Sequence, residues 1–217
     1  ACICLFSYDD TEMLNAKTGN WFDTNPQRGR SNNSAMLLRS EITREQFHDI
    51  MQPVKEFGEP GFIWVDSLEH TYNPCVEIGK LPKTVEGVSG WQGCNLCEIN
   101  GGKLVSREVF ERAAKAAAII GTLQAGYTNF KYQTEETISI FEREALLGVS
   151  ITGWMNNPSV TFYRDNMKVC AQLVLSTNMK VAKVIGINPA ARTTCVKPSG
   201  NASVKLGVAS GIHGEHS

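Results

Sequence analysis

The sequence has no excess of charge of either sign: 21 Lys and Arg stand against 22 Asp and Glu, for a formal net charge of -1. That balance leaves no bulk electrostatic footprint for nucleic acid or an anionic membrane, so any anion must be held locally. No apolar run reaches the roughly 18 to 20 residues that a membrane span requires, and no basic, apolar leader opens the chain. Repeats, low-complexity tracts and long charge runs are also lacking, so nothing marks an internal boundary and residues 1–217 read as one domain or part of one. The seven cysteines, Cys2, Cys4, Cys75, Cys94, Cys97, Cys170 and Cys195, are odd in number and scattered. That is not the pattern of a secreted disulfide framework, and reduced thiols in a cytoplasmic protein are the expectation. The chain starts without a methionine and stops at Gly214-Glu215-His216-Ser217 with no closing element. The expectation is an internal fragment of a longer protein.

What is present is a globular balance, 42% hydrophobic and 20% charged, enough to bury a core. Short apolar runs rich in valine, isoleucine and aromatics at 1–6, 34–38, 61–66, 148–152 and 193–196 suit buried strands. Between them lie helices. Thr43 with Gln46 makes a capping box, followed by Phe47, Ile50, Met51 and Val54 at helical spacing until Gly58 supplies a stop. Ser106 caps a second helix along Val109, Phe110, Ala113, Ala117 and Ile120; Thr134 opens a third through Ile138, Phe141 and Leu146 to Gly148. A longer helix is expected over 164–185. Strands alternating with helices indicate an α/β architecture, and periodicity leaves open whether the sheet is open or closed into a barrel.

Three segments carry chemistry. In Asn73-Pro74-Cys75-Val76-Glu77-Ile78 an amide, a thiol and a carboxylate alternate, and an extended backbone would point Asn73, Cys75 and Glu77 to one face. A buried cysteine between loop polar residues is the plain alternative. Cys94-Asn95-Leu96-Cys97 has the C-x-x-C spacing of a zinc knuckle or a dithiol, but no second C-x-x-C or H-x3-5-H pair completes four zinc ligands. Cys2 and Cys4, two apart on a strand, suit small apolar packing. The third segment, Thr193-Thr194-Cys195-Val196-Lys197-Pro198-Ser199-Gly200-Asn201-Ala202-Ser203, runs an apolar strand into a turn of small and hydroxylated residues. Such a turn exposes backbone N–H groups that suit phosphate, although it is no Walker A loop and the same residues also make an ordinary turn.

In this order the segments resemble the catalytic subunit of ribonucleotide reductases, most closely the adenosylcobalamin-dependent class II enzymes. The match includes Ala1-Cys2-Ile3-Cys4-Leu5-Phe6 with Asp9-Asp10, Arg30-Ser31-Asn32-Asn33-Ser34, Glu59-Pro60-Gly61 and the segments 73–78, 94–96, 148–153 and 197–211. The resemblance implies an α/β fold, part of a barrel with a central finger loop carrying Cys75. It implies that Cys75, as a thiyl radical, abstracts the 3′-hydrogen of a ribonucleotide, that Glu77 takes the 3′-hydroxyl proton and that Asn73 binds the sugar hydroxyls. Cys94 is implied as one member of the reducing pair, with its partner in an N-terminal segment outside this chain. Cys97 departs from the family pattern.

Pro198, Ser199, Gly200, Asn201, Ala202 and Ser203 are implied to hold substrate phosphates, with Ser34 near the substrate. Adenosylcobalamin is the implied cofactor, although no segment here is recognisable as holding it, and no metal site is expected from these residues. The implied partners are a thioredoxin-like or other dithiol reductant and, in the full-length protein, nucleotide effectors. The fragment alone is expected to be inactive. The Asn-Pro-Cys-x-Glu motif argues against the glycyl-radical class, whereas the segments 194–203 and 210–213 favour cobalamin over a class I enzyme with a separate metal subunit. Di- and triphosphate substrates both stay open, and a non-catalytic zinc or thiol module is the alternative of a different kind.

Overall fold

The computed structural model describes residues 3–215, which fall into two compact units that divide after Leu81. In the first, strands β1 (Ile3–Ser7), β2 (Asn32–Leu38) and β3 (Gly61–Val65) form a parallel sheet in the order β1-β2-β3. Two short helices, α1 (Thr11–Leu14) and α2 (Trp21–Thr24), lie in the first crossover and α3 (Arg44–Phe57) forms the second. The capping box is as expected: Thr43 Oγ1 accepts from the Gln46 amide, and Gln46 Oε1 accepts from the Thr43 amide at 2.9 Å. Gly58 closes the helix in the left-handed region, φ 74°. The unit's core joins Phe6, Ala35, Leu37 and Ile50, with Phe47 of α3 packed against it. A hairpin of β4 (Thr71–Tyr72) and β5 (Gly79–Lys80) follows β3.

In the second unit, β6 (Asn95–Asn100) precedes α4 (Arg107–Ala125) and α5 (Glu135–Glu144), and β7 (Leu147–Thr152) pairs parallel to β6. Then come α6 (Pro158–Thr161), α7 (Arg164–Ile185) and α8 (Gly200–Leu206). Ser106 and Thr134 accept from the amides three residues on, as their capping role requires. One face of the β6–β7 sheet carries the core, with Ile99, Val149 and Ile151 against Phe110, Ala114 and Ala118 of α4 and Cys170 and Val174 of α7.

Four local expectations need correction. The helix opened by Thr134 stops at Glu144, because Ala145 turns left-handed at φ 41° and the next residues, Leu146 and Leu147, are buried where the chain enters β7. The stretch 193–196 is not a full strand. It lies parallel beside β7 through one bridge at Thr194, with Val149 N donating to Thr193 O and Cys195 N to Val149 O. Residues 95–100, read from sequence only as a thiol motif, form β6. Cys4 is exposed, not packed, while Cys2 lies outside the described residues.

Candidate functional site

The segment 73–78 is the loop of the β4–β5 hairpin, and it is not extended. The Val76 amide donates to Asn73 O at 2.9 Å, and Val76 turns at φ 66°. Asn73 Oδ1 accepts from the Ile78 amide at 3.0 Å, and the Asn73 amide donates to Ile78 O. The period-2 placement of three side chains on one face is therefore replaced by a closed turn. Asn73 is buried inside it, with its Oδ1 committed to the loop. Cys75 is exposed near the tip.

Glu77 is the unusual group. Both of its carboxylate oxygens are shielded from solvent, and neither has a hydrogen-bond partner among the described residues. A buried carboxylate without a donor is costly, so the position is one where a ligand's hydroxyl or amide would restore the missing bond. The loop is tied to β2 by Asn32, whose Nδ2 donates to Pro74 O at 3.2 Å. On the same strand Ser34 is buried, and its Oγ lies 2.6 Å from where a Gly61 Cβ would stand, a closeness that only glycine permits.

The second cluster occupies the face of the β6–β7 sheet opposite the apolar core. Thr152 donates to Glu98 in a short hydrogen bond and also lies 2.8 Å from Ser199 Oγ. Lys197 Nζ is 2.7 Å from Glu98 Oε1, and the Lys197 amide donates to Ser150 Oγ at 3.0 Å. Burial pushes the Glu98 carboxyl up, but hydrogen bonds from Lys197, Thr152 and Ser199 and the Lys197 charge outweigh it, and the group is held below its ordinary value.

This network fixes the phosphate-type turn. Ser199 is fully buried in the left-handed region, φ 58°, and its hydroxyl oxygen also lies 3.2 Å from Lys197 O. Ser203 is buried, with its hydroxyl on Gly200 O at 2.7 Å. Pro198, Gly200 and Asn201 are exposed, Ala202 is half-buried, and nothing lies within 4 Å of where a Gly200 Cβ would project. The turn thus leaves residues 200–202 wholly or partly exposed while the hydroxyls at 199 and 203 bond within the turn.

The C-x-x-C pair splits. Three residues apart on a strand, side chains take opposite faces. Cys94 Sγ lies 3.1 Å from where a Gly148 Cβ would stand, whereas Cys97 Sγ lies 3.2 Å from the corresponding point at Gly121 of α4. Burial raises the Cys97 thiol. Among the described residues no three His, Cys, Asp or Glu side chains gather as a metal site. Sequence reasoning missed Glu98, Thr152 and Cys195. Alternation along β6 would have put Glu98 on the polar face had that strand been recognised, but nothing in one sequence pairs it with Lys197.

No protein-family profile matches the chain. Curated relatives do. An adenosylcobalamin-dependent ribonucleoside-triphosphate reductase of Euglena gracilis is 22% identical over 219 residues, 94% of this chain and 29% of that protein. The enzyme of the same name from Lactobacillus acidophilus is 25% identical over 223 residues, 86% of this chain and again 29% of the relative. The chain therefore spans about 29% of the length of the curated relatives it matches. Among solved structures, a B12-dependent class II ribonucleotide reductase superposes with a TM-score of 0.69 at 21% identity, over 97% of this chain and 34% of that one. The α subunit of the Actinobacillus ureae class Id ribonucleotide reductase gives 0.65 at 14% identity, over 96% of this chain and 48% of that one. The fold is that of part of a ribonucleotide reductase large subunit, in agreement with the α/β expectation. No helix among the described residues is long and apolar enough to cross a membrane.

Proposed function

We propose that this chain is part of the catalytic barrel domain of a longer, adenosylcobalamin-dependent ribonucleotide reductase that converts ribonucleoside di- or triphosphates to 2′-deoxyribonucleotides for DNA synthesis. The observation that carries the reading is the Glu77 carboxylate, shielded and without a hydrogen-bond partner, on the same hairpin loop as the exposed thiol of Cys75. Two relatives that share the cofactor in their names support the cobalamin-dependent class.

In this reading Cys75 takes the 3′-hydrogen of the ribose as a sulfur radical. Glu77 accepts the 3′-hydroxyl proton, which gives its carboxylate the partner it lacks, and the Asn73 Nδ2 group is directed to the sugar. The 2′-hydroxyl leaves as water, and Cys94 with the thiol of an upstream segment supplies two electrons and closes to a disulfide that a thioredoxin-like or other dithiol reductant reopens. The turn 198–203 holds the phosphates through its backbone, and Ser34 flanks the substrate.

Adenosylcobalamin supplies the initiating radical when bound. None of the residues placed above forms a recognisable cradle for it. Nucleotide effectors act on the full-length protein, which the thiol chemistry suits to the reducing cytoplasm.

The test uses the full-length parent with a ribonucleotide, adenosylcobalamin and a dithiol. The wild type is expected to form deoxyribonucleotide and Cys75→Ser to form none while binding nucleotide normally, since a serine hydroxyl matches the thiol in shape but cannot carry the radical. Turnover by Cys75→Ser near the wild-type rate would place the chemistry elsewhere.

A further inference from the structure

Two cysteine sulfurs converge on one point of the β6–β7 sheet. Cys94 Sγ and Cys195 Sγ each lie 3.1 Å from where a Gly148 Cβ would stand, so they are no further apart than twice that distance. Cys94 precedes β6 on one side of β7 and Cys195 lies on the segment along its other side. Both are half-buried, and Leu96 Cδ2 lies 2.5 Å from the same point. Gly148 itself puts no side chain between the two thiols, and the nearest atom to the point on which they converge is a methyl of the flexible Leu96 side chain.

The remaining thiols of this unit are placed differently. Cys97 faces α4, and Cys170 is buried in the core with its thiol pushed up to about 11, chiefly by burial. A thiol held protonated in apolar surroundings is a poor nucleophile, so neither competes for Cys94.

We propose that Cys195 is the resolving thiol of Cys94. When Cys94 is carried into a mixed disulfide with a small thiol, the Cys195 thiolate attacks the Cys94 sulfur. The Cys94–Cys195 bond forms, the bond to the small thiol breaks, and the small thiol leaves with the proton that Cys195 gave up. The exchange is redox-neutral, its oxidising equivalent coming from the small disulfide that first modified Cys94. The Cys195 amide and the Asn95 amide are both bonded to the chain of β7 and the residue before it, so closing the bond requires the irregular segment that ends at Cys94, ahead of β6, to move. A bond drawn across a strand in this way is strained and therefore readily reduced, which suits an exchanging pair and not a structural one.

This inference does not rest on ribonucleotide reduction, because its readout is sulfur connectivity without any nucleotide. The 217-residue chain is exposed to oxidised glutathione, quenched with N-ethylmaleimide and mapped by peptide mass spectrometry, beside a urea-unfolded control. The wild type is expected to give a Cys94–Cys195 linked peptide and little glutathione on Cys94. Cys195→Ser and Cys195→Ala should each raise glutathionylated Cys94 by about tenfold, as the loss of an intramolecular resolving thiol requires. Equal glutathionylation of Cys94 in wild type and both variants would overturn the proposal. So would linkage of Cys94 spread over the other cysteines as in the unfolded control.

Discussion

Lys197 and Glu98 form an ion pair of 2.7 Å with side chains only 16% and 14% exposed, and that pair anchors the turn at 198–203 to β6. Its partners on β7 and on Ser199 mean that three adjacent segments meet at one carboxylate. Removing one member of such a pair leaves the other charge buried, so Lys197→Met is expected to lower stability by about 3 kcal/mol in denaturant titration. The Glu98 pKa lies below its ordinary value of 4.5 in the folded chain. Its contribution is therefore complete above that value and lost as pH falls through the folded pKa. Glu98→Gln should be less stable than wild type at pH 7 and should lose less stability on acidification. Parallel acid limbs in the two proteins would refute the assignment.

Glu77→Gln keeps the side-chain shape and removes the base. In the full-length parent it is expected to lower kcat by about 10²- to 10⁴-fold with KM little changed, the range typical of a general base. The neutral amide is also cheaper to bury than an unpartnered carboxylate, so the variant should unfold at a temperature no lower than wild type. A rise in KM at unchanged kcat would make Glu77 a binding group instead.

A methyl group at Gly148 would meet Leu96 Cδ2 at 2.5 Å and both converging sulfurs at 3.1 Å. Gly148→Ala is expected to cost about 1 to 3 kcal/mol through overpacking, and to slow the labelling of Cys94 by a maleimide. Unchanged stability together with unchanged labelling would show that the sulfurs do not crowd this strand.

Local signals proved legible in the sequence where the physics is local. Thr43 with Gln46, Gly58, Ser106 and Thr134 set helix ends through hydrogen bonds or backbone freedom within four residues, and α7 matches the expected span 164–185. Alternation does not reveal the closed loop at 73–78, because its shape depends on Asn73 reaching Ile78, five residues away, and on a left-handed Val76 that no propensity favours. β6 gives no apolar run in the sequence because Asn95–Asn100 mixes polar and apolar residues, facing the Glu98 network on one side and the α4 core on the other. The convergence of Cys94 with Cys195, about a hundred positions apart, exists only once both segments have paired with β7.

Gly200 separates binding from folding. It opens α8 with an ordinary backbone, and nothing lies within 4 Å of where its Cβ would project. A side chain there meets open space, and exchanging glycine for leucine reduces the freedom of the unfolded chain. Gly200→Leu should therefore unfold at the wild-type temperature or slightly above. If the backbone of the turn receives the substrate phosphates, the added side chain stands in their path, and nucleotide affinity in the full-length parent should fall at least about tenfold, the loss expected when charge-assisted hydrogen bonds to an anion are blocked. Calorimetric titration with the substrate nucleotide, beside thermal unfolding of the same preparation, reads both quantities. Wild-type affinity in a stably folded Gly200→Leu would remove the turn from the phosphate site, whatever the fate of Cys75 and Glu77.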